Sequence, residues 1–514
     1  MLAYNASFVI FLAIVFNILT AIAVVGLLEY KGSVKRAIGA VVADTSCRVS
    51  YLPKYVSSKA IVCYIATLII VSALFLTRAL PFQFMVFGFV SVFVFFHFSN
   101  RMTMDWRRYS PQLFTKKLFV AALLIRLVYV IFIYFYYIEM TGVPHSFHMA
   151  DEGFYQSMAE IWQKDGIDES VRAMHDYVAM SDIGYVWWLS IEYILFGPHV
   201  LTARVLKCVI DAFSCVLLYN LTERNFGEAA GRIAAVFYML LPNAWYYCGV
   251  TLKETEMAFL VILFVERADI VLRSPKIRIK DMILPLLIII IMFTFRTALG
   301  AVLFAAMIAG LILTSGKQLQ AWKKILYSAV FAVWMFFTVG VEIVEESQQL
   351  WEGRAENQEV GYQWRAEREG GNVLAKYATA SIFAPLIFTI PFSSMIYVEN
   401  QEVQMMMNGG NFVKNIMSGF TILTLFLLLF RRNWRQHVLP LAVMCGYLVV
   451  LVFSNFAHAE RFHFPVLALE LMFAAYGITQ MTNRHKRLYV IWLVFVCIAN
   501  VLWALVKLRG RGLA

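Results

Sequence analysis

Apolar residues in this chain come mostly as long unbroken runs. Those at 7–28, 60–76, 80–98, 118–138 and 412–430 each approach the roughly 20 residues that an α-helix needs to cross about 30 Å of hydrocarbon. Basic clusters fall between such runs: Lys31, Lys35, Arg36, Arg48, Lys54 and Lys59, then Arg101, Arg107, Arg108, Lys116 and Lys117. Later clusters are Arg273/Lys276/Arg278/Lys280, Lys317/Lys323/Lys324, Arg431/Arg432/Arg435 and Arg484/Lys486/Arg487. Lys and Arg gather in short cytoplasmic loops, and placing every cluster on that side predicts about fourteen spans with the N-terminus outside. The predicted fold class is therefore an all-α polytopic membrane protein.

Two segments strain this threading. The basic tail from Lys507 to Arg511 falls outside, against the rule. Residues 380–398 are apolar enough to cross but contain Pro385 and Pro391, and a full crossing would invert both later basic clusters. They are read as a re-entrant or interfacial hairpin, which needs protein to cover its backbone.

Two predicted outer loops are long, at about 139–197 and 342–411. In the first, apolar residues at 154, 155, 158, 161 and 162 follow helical spacing, which predicts an amphipathic helix on the outer surface with Asp151 near its N-cap. In the second, charged residues (Glu345, Glu346, Arg354, Glu359, Arg365, Arg368) mix with Trp351, Tyr362, Trp364 and Tyr377, too many aromatics for plain disorder.

Composition agrees with the pattern. Hydrophobic residues make up 61% and charged residues 15%, against about 25% charged in a soluble domain. The net charge of +11 is accounted for by orientation, so no nucleic-acid partner is expected. The first run lacks a basic leader, which argues against a cleaved signal peptide. Cys63, Cys208, Cys215, Cys445 and Cys497 fall in predicted spans, Cys248 near an outer helix end and Cys47 in a cytoplasmic loop, with no spacing that suggests a bridge or a zinc site. There is no Gly-rich phosphate loop, so ATP-driven transport lacks its signature.

Candidate chemistry centres on the first outer loop. A surface helix with adjacent carboxylates, Asp151 and Glu152, offers either a plain helix cap or a general base facing a lipid-borne substrate. Lys253, Arg296 and Arg461 fall at predicted outer helix ends, at the level of a lipid phosphate. Lys207 and Asp211, four apart, can form an internal ion pair, while Arg126 and Glu470 have no assigned partner. His145 and His148 beside the acids are treated as incidental, and no metal is assigned.

The run Asp151-Glu152-Gly153-Phe154-Tyr155 resembles the Asp-Glu-x-x-Tyr signature of GT-C glycosyltransferases, in the branch with protein O-mannosyltransferases and lipid A aminoarabinose transferases. Further elements follow in the family's order: Leu195-Phe196-Gly197, Ala203-Arg204, 226–231, Leu241-Pro242, Lys253-Glu254, Phe295-Arg296 and 460–465. The resemblance covers about 118–480 and leaves out the spans of 1–110; Phe462 stands where the family has Tyr. It implies inverting transfer of a sugar from a polyprenyl-phosphate donor to an extracytoplasmic acceptor at the plasma (inner) membrane. Asp151 would be the base of the catalytic pair with Glu152, and Arg296, Lys253 and Arg461 would hold the donor phosphate. Tyr155, Glu254 and His463 would contact substrate, and neither cofactor nor metal is needed. The implied organisation is 1–117 accessory helices, 118–480 catalytic domain and 481–514 C-terminal helix and tail. The rival reading is a transporter or flippase for a lipid-linked glycan, although that would more naturally keep its key carboxylates near the midplane. A polymerase or ligase of surface glycans would lack the early Asp-Glu loop.

Overall fold

The computed structural model describes residues 48–147, 149–165, 180–274, 278–313, 354–368, 370–377, 380–454 and 456–513. Among these residues the regular elements are helices, and Ala79 and Ile396 form an isolated bridge. Seven helices are long and apolar enough to cross a membrane: Lys54–Leu74, Phe82–Trp106, Pro111–Thr141, Asn408–Phe430, Trp434–Val452, Glu460–Thr479 and His485–Arg509. The run at 7–28, Cys47 and the Lys317/Lys323/Lys324 cluster lie outside the described residues.

Position in the bundle follows how far around each helix is apolar. The Pro111–Thr141 window is 28% buried, so most of its apolar surface faces outward, whereas the Glu460–Thr479 window is 94% buried and runs through the middle. Val200–Phe226 and Glu254–Arg273 are also enclosed on nearly every side and carry several of the interior charges.

The two ends of the bundle differ in chemistry. At one end Arg48 N and Val49 N bond Thr479 O, Tyr55 OH bonds Lys486 O, and Asn100 Nδ2 donates to Leu52 O. Arg232 reaches the carbonyls of Trp106 and Tyr109, Arg273 that of Gln436, and Arg431 the side chains of Tyr476 and Gln480. The basic clusters at 48–59, 101–108, 273, 431 and 486 thus share one end, as the charge pattern predicts. The opposite end gathers 142–147, 149–152, 181–182, 250–254, 295–296, 394–404, 460–461 and 507–510. The tail belongs here: Lys507 Nζ donates to Ser394 Oγ and Gln401 Oε1, both at 3.1 Å, and Val373 N bonds Gly510 O. Lys507 therefore works as an internal clamp on the second long loop, which is why its charge does not obey the loop rule.

The 380–398 segment is a chain of short turns and extended residues, with its backbone covered by protein. Asn415 Nδ2 donates to the carbonyls of Thr389 and Pro391, Lys414 Nζ to Ile390 O, and Asn500 Oδ1 accepts from Ser393 N at 2.7 Å. Irregular backbone is tolerated at membrane depth under this condition.

Interior charges pair differently from the sequence expectation. Asp211 accepts from Arg126 Nε and, at 2.7 Å, from Tyr238 OH, while Lys207 lies 3.4 Å from Glu256. Four residues apart on one helix, Lys207 and Asp211 instead choose partners on neighbouring helices. Arg126 also donates to Tyr238 O and Met239 O, at 3.2 and 3.1 Å. These carbonyls sit where Pro242, lacking an N–H, breaks the helix. Glu470 pairs with Lys414 at 3.9 Å, so neither it nor Arg126 lines an open cavity.

Candidate functional site

The Met149–Asp165 helix forms as expected, but its buried stripe is rotated. Glu152, Tyr155, Ala159 and Trp162 face inward, while Phe154 is exposed. Counting only apolar residues misses this because the stripe begins with a carboxylate. Glu152 is enclosed: it accepts from Ser146 N at 2.9 Å, Thr251 N at 2.8 Å and Arg204 Nη2 at 3.0 Å, as well as from Ser146 Oγ. These four contacts tie the loop before the helix to the 249–253 turn, an anchoring arrangement.

Asp151, next to it, points the other way. Its side chain is 44% exposed and accepts from Arg461 Nη1. Arg461 stands in the first turn of the Glu460–Thr479 helix, and its Nε is 3.9 Å from Glu254 Oε1. The same carboxylate oxygen lies 3.8 Å from Arg296, which follows the Ile279–Phe295 helix and donates to Tyr447 OH at 3.0 Å. Between the two guanidiniums lies the Phe462 ring, 4.4 Å from Arg296 and 5.0 Å from Arg461, and stacked on Phe456. A ring face attracts cations, so Phe462 and Glu254 together hold two like charges near one another. That is an arrangement suited to an anion.

Lys253 completes the group. Its Nζ donates to the carbonyls of Ser181 and Phe295, both at 2.7 Å, and to Asp182 Oδ1, which also accepts from Tyr155 OH at 2.7 Å. Burial, then the nearby Arg296, draws the Lys253 ammonium down to about 8 against the pull of Asp182. Asp182 and Tyr447 are residues that the sequence reading missed. Asp182 carried a signal, an acid just before the apolar run from Ile183 in the outer loop. Tyr447 carried none, since it is one ring among many in a span.

Asp151, Tyr155, Lys253, Glu254, Arg296 and Arg461 are thus brought together by four separate stretches of chain. His463 is not among them. It is 1% exposed, with Nε2 donating to Ala457 O and Nδ1 accepting from Lys414, each at 2.8 Å. Two residues beyond Arg461 on a helix, it faces another side and holds the core. His148 lies outside the described residues, and among those described no group of three or more His, Cys, Asp or Glu could hold a metal.

Residues 408–510 match the Alg9-like mannosyltransferase family. The matched part, about a fifth of the chain, includes Arg461, Phe462 and Tyr447 but not the loop of Asp151. The match is to a GT-C family, although not to the branch that the motifs resemble. No curated protein and no solved structure matches the chain.

Proposed function

We propose that this chain is a GT-C-type membrane glycosyltransferase that moves a sugar from a polyprenyl-phosphate donor to an extracytoplasmic acceptor with inversion, a reading that the match of residues 408–510 to the Alg9-like mannosyltransferase family supports. The observation that carries this reading is the convergence of Lys253, Arg296 and Arg461 beside the exposed carboxylate of Asp151. The topology it rests on is about fourteen spans in a plasma membrane, with accessory helices in 1–117 and the catalytic part in 118–480.

In this mechanism the donor phosphate sits against the cations, and its oxygens compete with Asp151 for Arg461. Once released, Asp151 accepts the proton of the acceptor hydroxyl or amine. The acceptor atom bonds to the anomeric carbon, and the bond from that carbon to the phosphate oxygen breaks on the opposite face. The leaving phosphate keeps the electron pair, and preorganised cations stabilise the charge that develops on it. Asp182 fixes Lys253 and Tyr155, and the second long loop, clamped by Lys507, covers the site.

The test is donor binding. Arg296→Ala and Arg461→Ala should each weaken it tenfold to a hundredfold, because a charge-assisted hydrogen bond contributes about 1.5–3 kcal/mol. Lys at either position should recover part of the loss, keeping the charge without the fork. Normal binding of a polyprenyl-phosphate sugar by both alanine variants would put the phosphate elsewhere.

A second expectation concerns pH. Lys253, at about 8, is charged at neutral pH and loses its proton as the pH rises through that value. The donor KM should therefore rise between about pH 7.5 and 9, since the neutral amine no longer balances phosphate charge. Lys253→Arg, which stays charged, should show a flat profile over the same range. A KM equally flat in the unmodified protein would remove Lys253 from the phosphate site.

A further inference from the structure

At the end of the bundle opposite this site, a cavity of about 440 Å³ lies between the start of the Lys54–Leu74 helix and the end of the Phe82–Trp106 helix. Its polar lining comes from Lys54, Ser57, Ser58, His97, Asn100, Arg101 and Asp105. The first helix begins after Pro53 with no side-chain cap and no acidic residue in its first turn. The Val56 and Ser57 N–H groups bond Pro53 O, which leaves those of Lys54 and Tyr55 without a helix partner and favours negative charge there. A second, independent feature points the same way: Ser57, on the cavity wall, is 3% exposed and its hydroxyl has no hydrogen-bond partner. A buried hydroxyl left in this state calls for an acceptor.

The opposite wall is built to hold its shape. A π-turn over Val94–Phe98 resets the register of the second helix, as such turns often do at functional positions. From within this turn His97, and beyond it Asn100, Arg101, Met104 and Asp105, line up along the cavity. The His97 ring stacks on Phe93 at 4.9 Å, and Asn100 and Thr103 tie the wall to Leu52. Among the described residues Asp105 is the only acid in the lining, and it is 3.9 Å from Arg101, so Lys54 leaves a positive surplus.

We propose that this cavity binds a phosphate group, carried by an anionic lipid headgroup or by a free phosphate. Lys54 and Arg101 supply charge, the helix start supplies N–H donors, and the Ser57 hydroxyl donates to a phosphate oxygen.

The test uses the full chain, purified and placed in nanodiscs of phosphatidylcholine with a minor fraction of phosphatidylglycerol. Bound phosphatidylglycerol is counted by native mass spectrometry, with and without millimolar inorganic phosphate. The unmodified protein should retain the lipid, and a Lys54→Gln/Arg101→Gln variant at least about tenfold less, the scale of a lost charged contact. Ser57→Val, which keeps both cations, should show a severalfold fall. Both cations are exposed, so the double variant should keep its melting temperature; if it does not, Ser57→Val alone decides. Displacement of the lipid by inorganic phosphate would assign the site to free phosphate, and resistance to it would assign the headgroup. Equal retention of lipid by all three proteins, or no binding of either probe by the unmodified one, would overturn the proposal.

Discussion

Replacing Asp151 with Asn should lower turnover by about a hundredfold or more while leaving donor binding and expression nearly unchanged. The asparagine keeps size and can still accept from Arg461, so the pair that positions the residue is largely conserved. What it loses is the ability to take a proton, and general-base loss typically costs about 10²–10⁴ in rate. The readout is single-turnover transfer by purified protein, with donor binding measured separately. A fall in donor affinity with unchanged turnover would make Asp151 a clamp on Arg461 instead of a base.

Glu152 should behave in the opposite way. Removing its carboxylate by Glu152→Ala leaves Arg204, itself fully buried, without its ionic partner, and leaves Thr251 N and Ser146 N without acceptors. Breaking a buried pair from one side typically costs about 3–5 kcal/mol. The variant should therefore express poorly or melt well below the unmodified protein in detergent, and its surviving activity should track the folded fraction. A well-folded Glu152→Ala protein with no turnover would return Glu152 to the chemistry. Adjacent acids that fail in different ways are what the helix geometry requires, because one opens toward the cations and its neighbour turns into the bundle.

How much of this was legible in the sequence depended on how local the signal was. The seven long apolar helices among the described residues and the gathering of basic residues at one end follow from run length and loop charge, which act on each segment almost independently; the expected count of about fourteen spans goes beyond these seven. The set Asp151, Tyr155, Lys253, Glu254, Arg296 and Arg461 was readable because each residue stands at or near a helix end at the same end of the bundle. Helix ends on one side of a bundle must lie at one level. Partner choice was not readable. Lys207 and Asp211 have ideal spacing for one another, yet each finds a better geometry across a helix interface, where burial raises the cost of a poor pair. His463 looked like part of a motif because sequence adjacency hides the roughly 100° turn per residue that sends it to Lys414. Tyr447 and the clamp of Lys507 depend on contacts between distant segments, and no short window of sequence contains them.

The central claim is chemical transfer from a lipid-linked donor, and one measurement addresses it directly. Purified protein in nanodiscs is given a synthetic polyprenyl-phosphate sugar and a soluble acceptor, and released polyprenyl phosphate is quantified by mass spectrometry. The account predicts that polyprenyl phosphate accumulates in step with an acceptor glycoside of inverted configuration, and that Asp151→Asn abolishes nearly all of it. Donor that stays chemically intact while moving between leaflets, equally in the unmodified protein and in Asp151→Asn, would contradict the account and make the chain a transporter.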